Sequence, residues 1–309
     1  MASGSLILYY AGGIMVALAF MAYVAHAVLL ANARIRLPRL VLQTAPAYAG
    51  VVTGSFVERR DQNPRGVDPG SAAAPFASTF TVVAIALLAL SMAMRATIVG
   101  RGPWGNLFEY TVAFAFTMIT GYWLLSRRYA IRSIGFIPLG VALGLLLYSM
   151  SLPNEIEPLV PALQNAPLLT IHVGMATIAY GIFATSFAAG VGYLIQGRTD
   201  RFAWLPSHKV LDEVAYRAVI VGFPIFATMI ILGSWWASIA WSAYWSWDPK
   251  ETSALVTWLV YAIYLHARNQ RAWAGRPAAL LLVVGFLMVL VTYSGSLWFS
   301  GLHSYSGLN

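Results

Sequence analysis

The stretch PAALLLVVGFLMVLVTYSGSLWF, residues 277–299, runs for 23 residues without a charged side chain. At about 1.5 Å per residue it is longer as a helix than the ~30 Å hydrocarbon core of a bilayer, which about 20 apolar residues span. Lipid offers no partners for backbone N–H and C=O groups, so a segment of this kind crosses as a helix that satisfies its own hydrogen bonds. Working outward, seven more apolar runs lie near 6–31, 76–97, 107–126, 134–151, 168–196, 217–237 and 252–268, separated by Arg, Pro and Gly clusters. The sequence therefore predicts an all-α, polytopic membrane helix bundle of about eight transmembrane helices, read as one domain over 1–309. Composition agrees. The chain is 59% hydrophobic and only 10% charged, where a soluble domain carries about a quarter charged residues.

Charge placement gives the orientation. The first run has no positive residue before it and is followed by Arg34, Arg36 and Arg39, so it is expected to stay as a span with its N-terminus outside. Alternating from there, the cytoplasmic loops hold Arg34, Arg36, Arg39, Arg59, Arg60 and Arg65, then Arg127, Arg128 and Arg132, then Arg198, Arg201, Lys209 and Arg217, then Arg268, Arg271 and Arg276. Sixteen of the 19 basic residues fall on that side, and Arg95, Arg101 and Lys250 do not. The positive-inside rule thus supports eight spans with both termini extracytoplasmic in a bacterial-type inner membrane. It also accounts for the net charge of +8 without nucleic acid as a partner. The loop at about 40–75 is the long cytoplasmic one, rich in Pro and Gly in its second half, and is expected to be flexible. No inverted repeat of the transporter kind is evident.

The chain has no cysteine, which excludes disulfides, thiolate metal sites and a cysteine nucleophile. Redox chemistry must use a borrowed group. Of five histidines, His172, in PLLTIHVG, and His303, in SGLHSY, fall at the outer ends of the fifth and eighth spans. Imidazole is a common axial ligand of haem iron. His266, in YLHAR, lies ~21 Å along the seventh span from Thr252 at 1.5 Å per residue, and His26 reaches a similar depth in the first. An ionisable group inside a span is a functional candidate, although a single histidine is more often a hydrogen-bonded packing residue. His208, in PSHKVLDE, is read that way.

Between the outer histidines lies SWWASIAWSAYWSWDPKE, residues 234–251, read as an extracytoplasmic loop containing Trp235, Trp236, Trp241, Trp245 and Trp247. An aromatic belt would spread such residues over many helix ends. Clustered, they form a rigid apolar platform with indole donors at its rim, suited to a flat aromatic ligand. Asp248 and Glu251 fall where a helix begins and are capping candidates as well as ligand contacts. Lys250 is suited either to a ligand carboxylate or to pairing with Glu251.

This loop resembles the tryptophan-rich WWD signature of the haem-handling proteins of cytochrome c biogenesis (System II), nearest the CcsA/ResC branch. Supporting segments are GPWGNLFEY at 102–110, PALQNAPLLTIHV at 161–173, LDEVAYRAVIVGFP at 211–224, YLHAR at 264–268 and SGLHSY at 300–305. The related CcmC and CcmF branches share the loop, but SGLHSY and eight spans favour the first. Ser242 stands where the family loop usually has Gly.

The resemblance implies a protein that carries haem b as cargo from the cytoplasmic side and presents it outside for thioether attachment to apocytochrome c CxxCH motifs. It would be the haem-binding part of a holocytochrome c synthase. It further implies His172 and His303 as external iron ligands, His266 as an internal one, and the five tryptophans with Asp248 as haem contacts. The second internal ligand would come from a CcsB/ResB-type partner or from His26. A thioredoxin-like thiol reductant is a further implied partner. The competing readings are a bis-histidine b-type cytochrome passing electrons from quinol, and a transporter or scaffold whose tryptophans only anchor a loop.

Overall fold

The computed structural model describes residues 2–35, 72–156, 166–270 and 272–303. These form eight α-helices: α1 (Ala2–Ile35), α2 (Ala73–Val99), α3 (Leu107–Ser126), α4 (Phe136–Ser149), α5 (Ala166–Gln196), α6 (His208–Trp241), α7 (Pro249–Arg268) and α8 (Arg276–Trp298), with a 3-10 turn at Arg132–Ile134. There is no strand among the described residues. Most of the loop expected at about 40–75 lies outside them.

Local chemistry sets the helix ends. Asn106 Oδ1 accepts the Glu109 N–H at 2.8 Å and starts α3. Ser207 caps α6, so this helix begins at His208, earlier than its apolar run and inside the segment expected to be a loop. At its other end α6 continues through Trp235, Trp236 and Trp241. Neither Gly nor Pro interrupts 234–241, and the break comes at Ser242, which takes a left-handed conformation with φ 58°. The aromatic segment is therefore helical in its first half and irregular only from Ser242 to Asp248.

The helices alternate in direction. Ser91 Oγ of α2 donates to Ser5 O near the start of α1, and Tyr9 of α1 donates to Leu146 O near the end of α4. Arg95, late in α2, meets Glu109, early in α3. The start of α5 meets the end of α6, where His172 bonds Met229 O, and Arg268 at the end of α7 pairs with Asp212 at the start of α6. α3 and α5 run parallel and very close, since a Cβ at Gly181 would lie 2.5 Å from the Thr117 carbonyl carbon. Small residues permit this kind of backbone approach in membrane bundles. Thr117 Oγ1 donates to Thr177 O at 2.6 Å across that seam.

Six helices, α1, α2, α4 with its leading turn, α5, α6 and α8, are long and apolar enough to cross a membrane. α3 and α7 are not among these six. α3 is enclosed by its neighbours, with Phe114, Met118, Ile119 and Tyr122 fully buried. α7 carries Lys250 and Glu251 at its start and His266 and Arg268 at its end.

Candidate functional site

The starts of α3, α5 and α7 and the ends of α2, α6 and α8 meet at one end of the bundle. They enclose about 1060 Å³ of space, counted out to its open mouth and lined by Trp104, Tyr110, His172, Tyr180, Met229, Gly233, Trp236, Trp245, Lys250, Thr292 and His303 among others.

Both outer histidines border this space, and each is held through the same ring nitrogen. His172 Nδ1 lies 2.9 Å from the Met229 carbonyl. A carbonyl only accepts, so Nδ1 carries the proton and the lone pair sits on Nε2. Gly233 makes room for the ring, since a Cβ there would lie 2.6 Å from His172 Cε1. The imidazole stacks nearly parallel to the Trp236 ring, 6.5 Å away at 9°.

His303 follows α8, and its Nδ1 lies 2.8 Å from Asp248 Oδ1. Trp236 lies 6.0 Å and Trp241 4.9 Å from its ring. Burial lowers the His303 pKa against the pull of the adjacent carboxylate, so the neutral ring donates from Nδ1. Asp248 is a buried acceptor for three donors, His303 Nδ1, Lys250 N at 2.9 Å and Leu302 N at 2.6 Å. Burial would raise its carboxyl pKa, but these bonds and the imidazole outweigh it and hold the group at about 2. Asp248 also caps α7 in a box with Glu251, whose Oε2 accepts from Ser246 N and Asp248 N. An imidazole whose Nδ1–H is fixed by a carbonyl or carboxylate is oriented to offer Nε2 to a metal.

The five tryptophans separate. Trp236 is buried and packs edge-on against Trp241 at 4.7 Å, and Trp245 lines the cavity. Trp235 and Trp247 are 53% and 68% exposed and point away from the cavity wall. Successive helical residues diverge by about 100°, so Trp235 and Trp236 cannot both face α5.

The basic residues that did not follow the charge alternation gather here. Arg95 Nε and Arg101 Nη1 hold the two oxygens of buried Glu109 at 3.0 and 3.1 Å, and Gly105 N donates to the same carboxylate at 2.8 Å. This fixes the Trp104–Asn106 turn that lines the cavity. Lys250 lies with Nζ 5.5 Å from the Tyr110 ring centroid. Burial lowers its pKa to about 8 despite the Asp248 charge.

The inner histidines are not brought together. His26 is buried on α1, whose main neighbours are α2 and α4, whereas His266 is exposed on α7, which packs on α8 and α6. His266 borders a separate hollow with Gln270 and Trp273 at the opposite end. Sequence reasoning missed Trp104, Tyr110, Tyr180, Met229 and Gly233 as cavity residues. Only the GPWGNLFEY motif gave a signal for the first two.

No cluster of three or more His, Cys, Asp or Glu side chains suited to a metal occurs among the described residues. Two imidazoles over an indole surface suit a metal that brings its other ligands with it, as porphyrin iron does. The family profile for the cytochrome C assembly protein matches residues 79–303. The cytochrome c biogenesis protein CcsA of Guillardia theta is 32% identical over 74% of this chain and 85% of its own length. That of Synechococcus sp. (strain CC9902) is 33% identical over 72% and 84%, and that of Porphyra purpurea 32% over 75% and 87%.

Proposed function

The chain belongs to the cytochrome c assembly protein family, and from that premise we propose that it moves haem b across the membrane as cargo and presents it for attachment to apocytochrome c. The cavity end is the extracytoplasmic one, in keeping with the basic residues concentrated at the opposite helix ends, and all eight helices cross the membrane. The observation that carries the reading is the shared geometry of His172 and His303. Each donates Nδ1–H to a fixed acceptor beside one cavity and beside one indole, Trp236.

Attachment joins two apocytochrome thiols to the haem vinyl groups, and the chain supplies no thiol to compete. Its own part is positioning, with two imidazoles capping the iron and Trp236, Trp241 and Trp245 limiting the tilt of the ring. A histidine from the CxxCH motif can then replace one imidazole as the product leaves. A CcsB/ResB-type membrane protein guides the apoprotein and, with His266, completes the inner haem site, while a thioredoxin-like reductant keeps the thiols reduced. Trp235 and Trp247, both exposed, face these partners.

The test is absorption spectroscopy and a pyridine haemochrome assay on the purified chain and on His172→Ala and His303→Ala. The unaltered protein should carry substoichiometric, low-spin haem that leaves when apocytochrome is added. Each variant should lose it and regain it with added imidazole. Stoichiometric haem that is reduced by quinol and never released would instead identify an electron-transfer cytochrome, and a colourless protein that binds no added haem would sink both.

A further inference from the structure

Lys250 is a cation beside the Asp248 charge but not in a direct ion pair with it. It is the only Lys or Arg lining the cavity, and it forms no ion pair among the described residues. Its contact is the face of Tyr110. The nearby carboxylates are occupied elsewhere. Asp248 accepts from three N–H groups, and Glu251 accepts from Ser246 and Asp248. At the same end two guanidiniums, Arg95 and Arg101, hold one carboxylate, Glu109, and with Asp248 and Glu251 beside Lys250 the fixed charges balance, which leaves Lys250 as the cation that faces the cavity. The indole Nε1 of Trp104, another lining residue, is buried without an acceptor among the described residues. The Tyr110 and Tyr180 side chains add hydroxyls to this side, whereas the wall formed by Leu169, Val173, Ala176 and Ile230 is apolar.

A largely desolvated ammonium without a direct ion pair is costly, and an orphaned indole donor at the same end adds to the cost. An anionic ligand removes both penalties. If the cargo is haem, as proposed above, its anions are two propionates on one edge, opposite the edge that carries the vinyl groups. We propose that the α3/α7 wall is the carboxylate end of the site, where Lys250 receives the propionates and turns the vinyl edge away from that wall. The arrangement leaves the reacting carbons where thiols from an incoming peptide can approach. Lys250 is thus a positioning residue: it sets which edge faces out without touching the reacting atoms.

The inference rests on the haem reading, and one titration separates the two. Purified unaltered protein is titrated with iron protoporphyrin IX, with its dimethyl ester, which lacks free carboxylates, and with iron mesoporphyrin, which keeps them but has ethyl groups in place of vinyls. The ester should bind about tenfold to a hundredfold more weakly, the range for hydrogen bonds to a charged group, and mesohaem should bind as haem does. Lys250→Met should weaken the diacid by the same factor and leave the ester unchanged, with the bis-imidazole spectrum of the bound fraction retained. Lys250→Arg should restore the preference. Equal binding of ester and diacid by the unaltered protein overturns the assignment while leaving the haem reading intact, and so does a loss seen with mesohaem but not with the ester. The ester comparison uses the unaltered chain and so decides the matter even where a Lys250 variant fails to fold. Failure of all three tetrapyrroles to bind overturns both proposals.

Discussion

Replacing Asp248 with Asn should disable His303 while leaving the helix it caps in place. Asn serves as an N-cap about as well as Asp, so the start of α7 should survive. The carboxylate, however, serves three donors from two oxygens: Oδ1 takes Lys250 N and His303 Nδ1, and Oδ2 takes Leu302 N. An amide has one acceptor oxygen and an NH2 group that can only donate. With its oxygen towards His303, the NH2 opposes the Leu302 N–H, one residue from the imidazole, and pushes that segment away. With its oxygen towards Leu302, its NH2 opposes both the capping Lys250 N–H and His303 Nδ1, and the ring must move its proton to Nε2, the nitrogen that iron requires bare. Either way at least one hydrogen bond to a charged group is lost, worth about 1.5–3 kcal/mol. That corresponds to a roughly tenfold to hundredfold weaker haem complex, the same range as for loss of a ligand's outer partner. Haem titration followed at the Soret band, beside a thermal melt in detergent, measures both quantities. A variant that binds haem as tightly as the unaltered chain, with an unchanged low-spin spectrum, would refute the orienting role of Asp248.

Gly233→Ala places a Cβ 2.6 Å from His172 Cε1, so the ring must leave Met229 O. The fold should lose about 1–3 kcal/mol, as overpacked sites do, and the low-spin haem spectrum should vanish; a melt and a spectrum check the two effects. Acidification should also release haem, but late. Burial depresses the His303 pKa below its ordinary 6.5, so its lone pair persists as pH falls through that value and protonates only further down. Between the depressed pKa and 6.5 the unfolded chain binds more protons than the folded one, and His303's contribution to stability therefore falls as pH drops through this window. A Soret titration against pH with a release midpoint above 6.5 would contradict this.

The bundle was legible because two independent signals agreed. Apolar runs of spanning length marked the helices, and the arginines alternated with them. The antiparallel contacts between helix ends, such as Ser5 with Ser91 and Asp212 with Arg268, have the direction that alternation predicts. The three basic residues outside the pattern were informative for the same reason, since Arg95, Arg101 and Lys250 all surround the cavity end. The cavity wall was less legible. Tyr110, Tyr180 and Met229 resemble ordinary apolar helix positions, and only the packing of α3, α5 and α6 turns them towards one space. The helical state of 234–241 was hidden by composition. A cluster of tryptophan and serine suggests a loop, yet nothing in it stops a helix until the backbone turns left-handed at Ser242, the position where a glycine would adopt that turn with less strain.

The two histidine pairs show what a depth argument can and cannot deliver. Counting 1.5 Å per residue gives each side chain a coordinate along the bundle axis, and by that measure His26 and His266 resemble each other as closely as His172 and His303. It supplies neither the direction in which a side chain leaves its helix nor that helix's neighbours. For the outer pair, other features supply both. α6 joins directly through the tryptophan segment to α7, which keeps Trp236 near Asp248. Asp248 in turn binds the residues that follow α8, and Gly233 admits His172 from α5. Each of these links is local and specific, and together they bring two distant residues to one indole. Among the described residues α1 packs mainly on α2 and α4, and α7 on α8 and α6, so no such chain joins His26 to His266 there. A shared ligand at that end would need a second protein or a different arrangement of helices, whereas the site at the His172 and His303 end is assembled from this chain's own contacts.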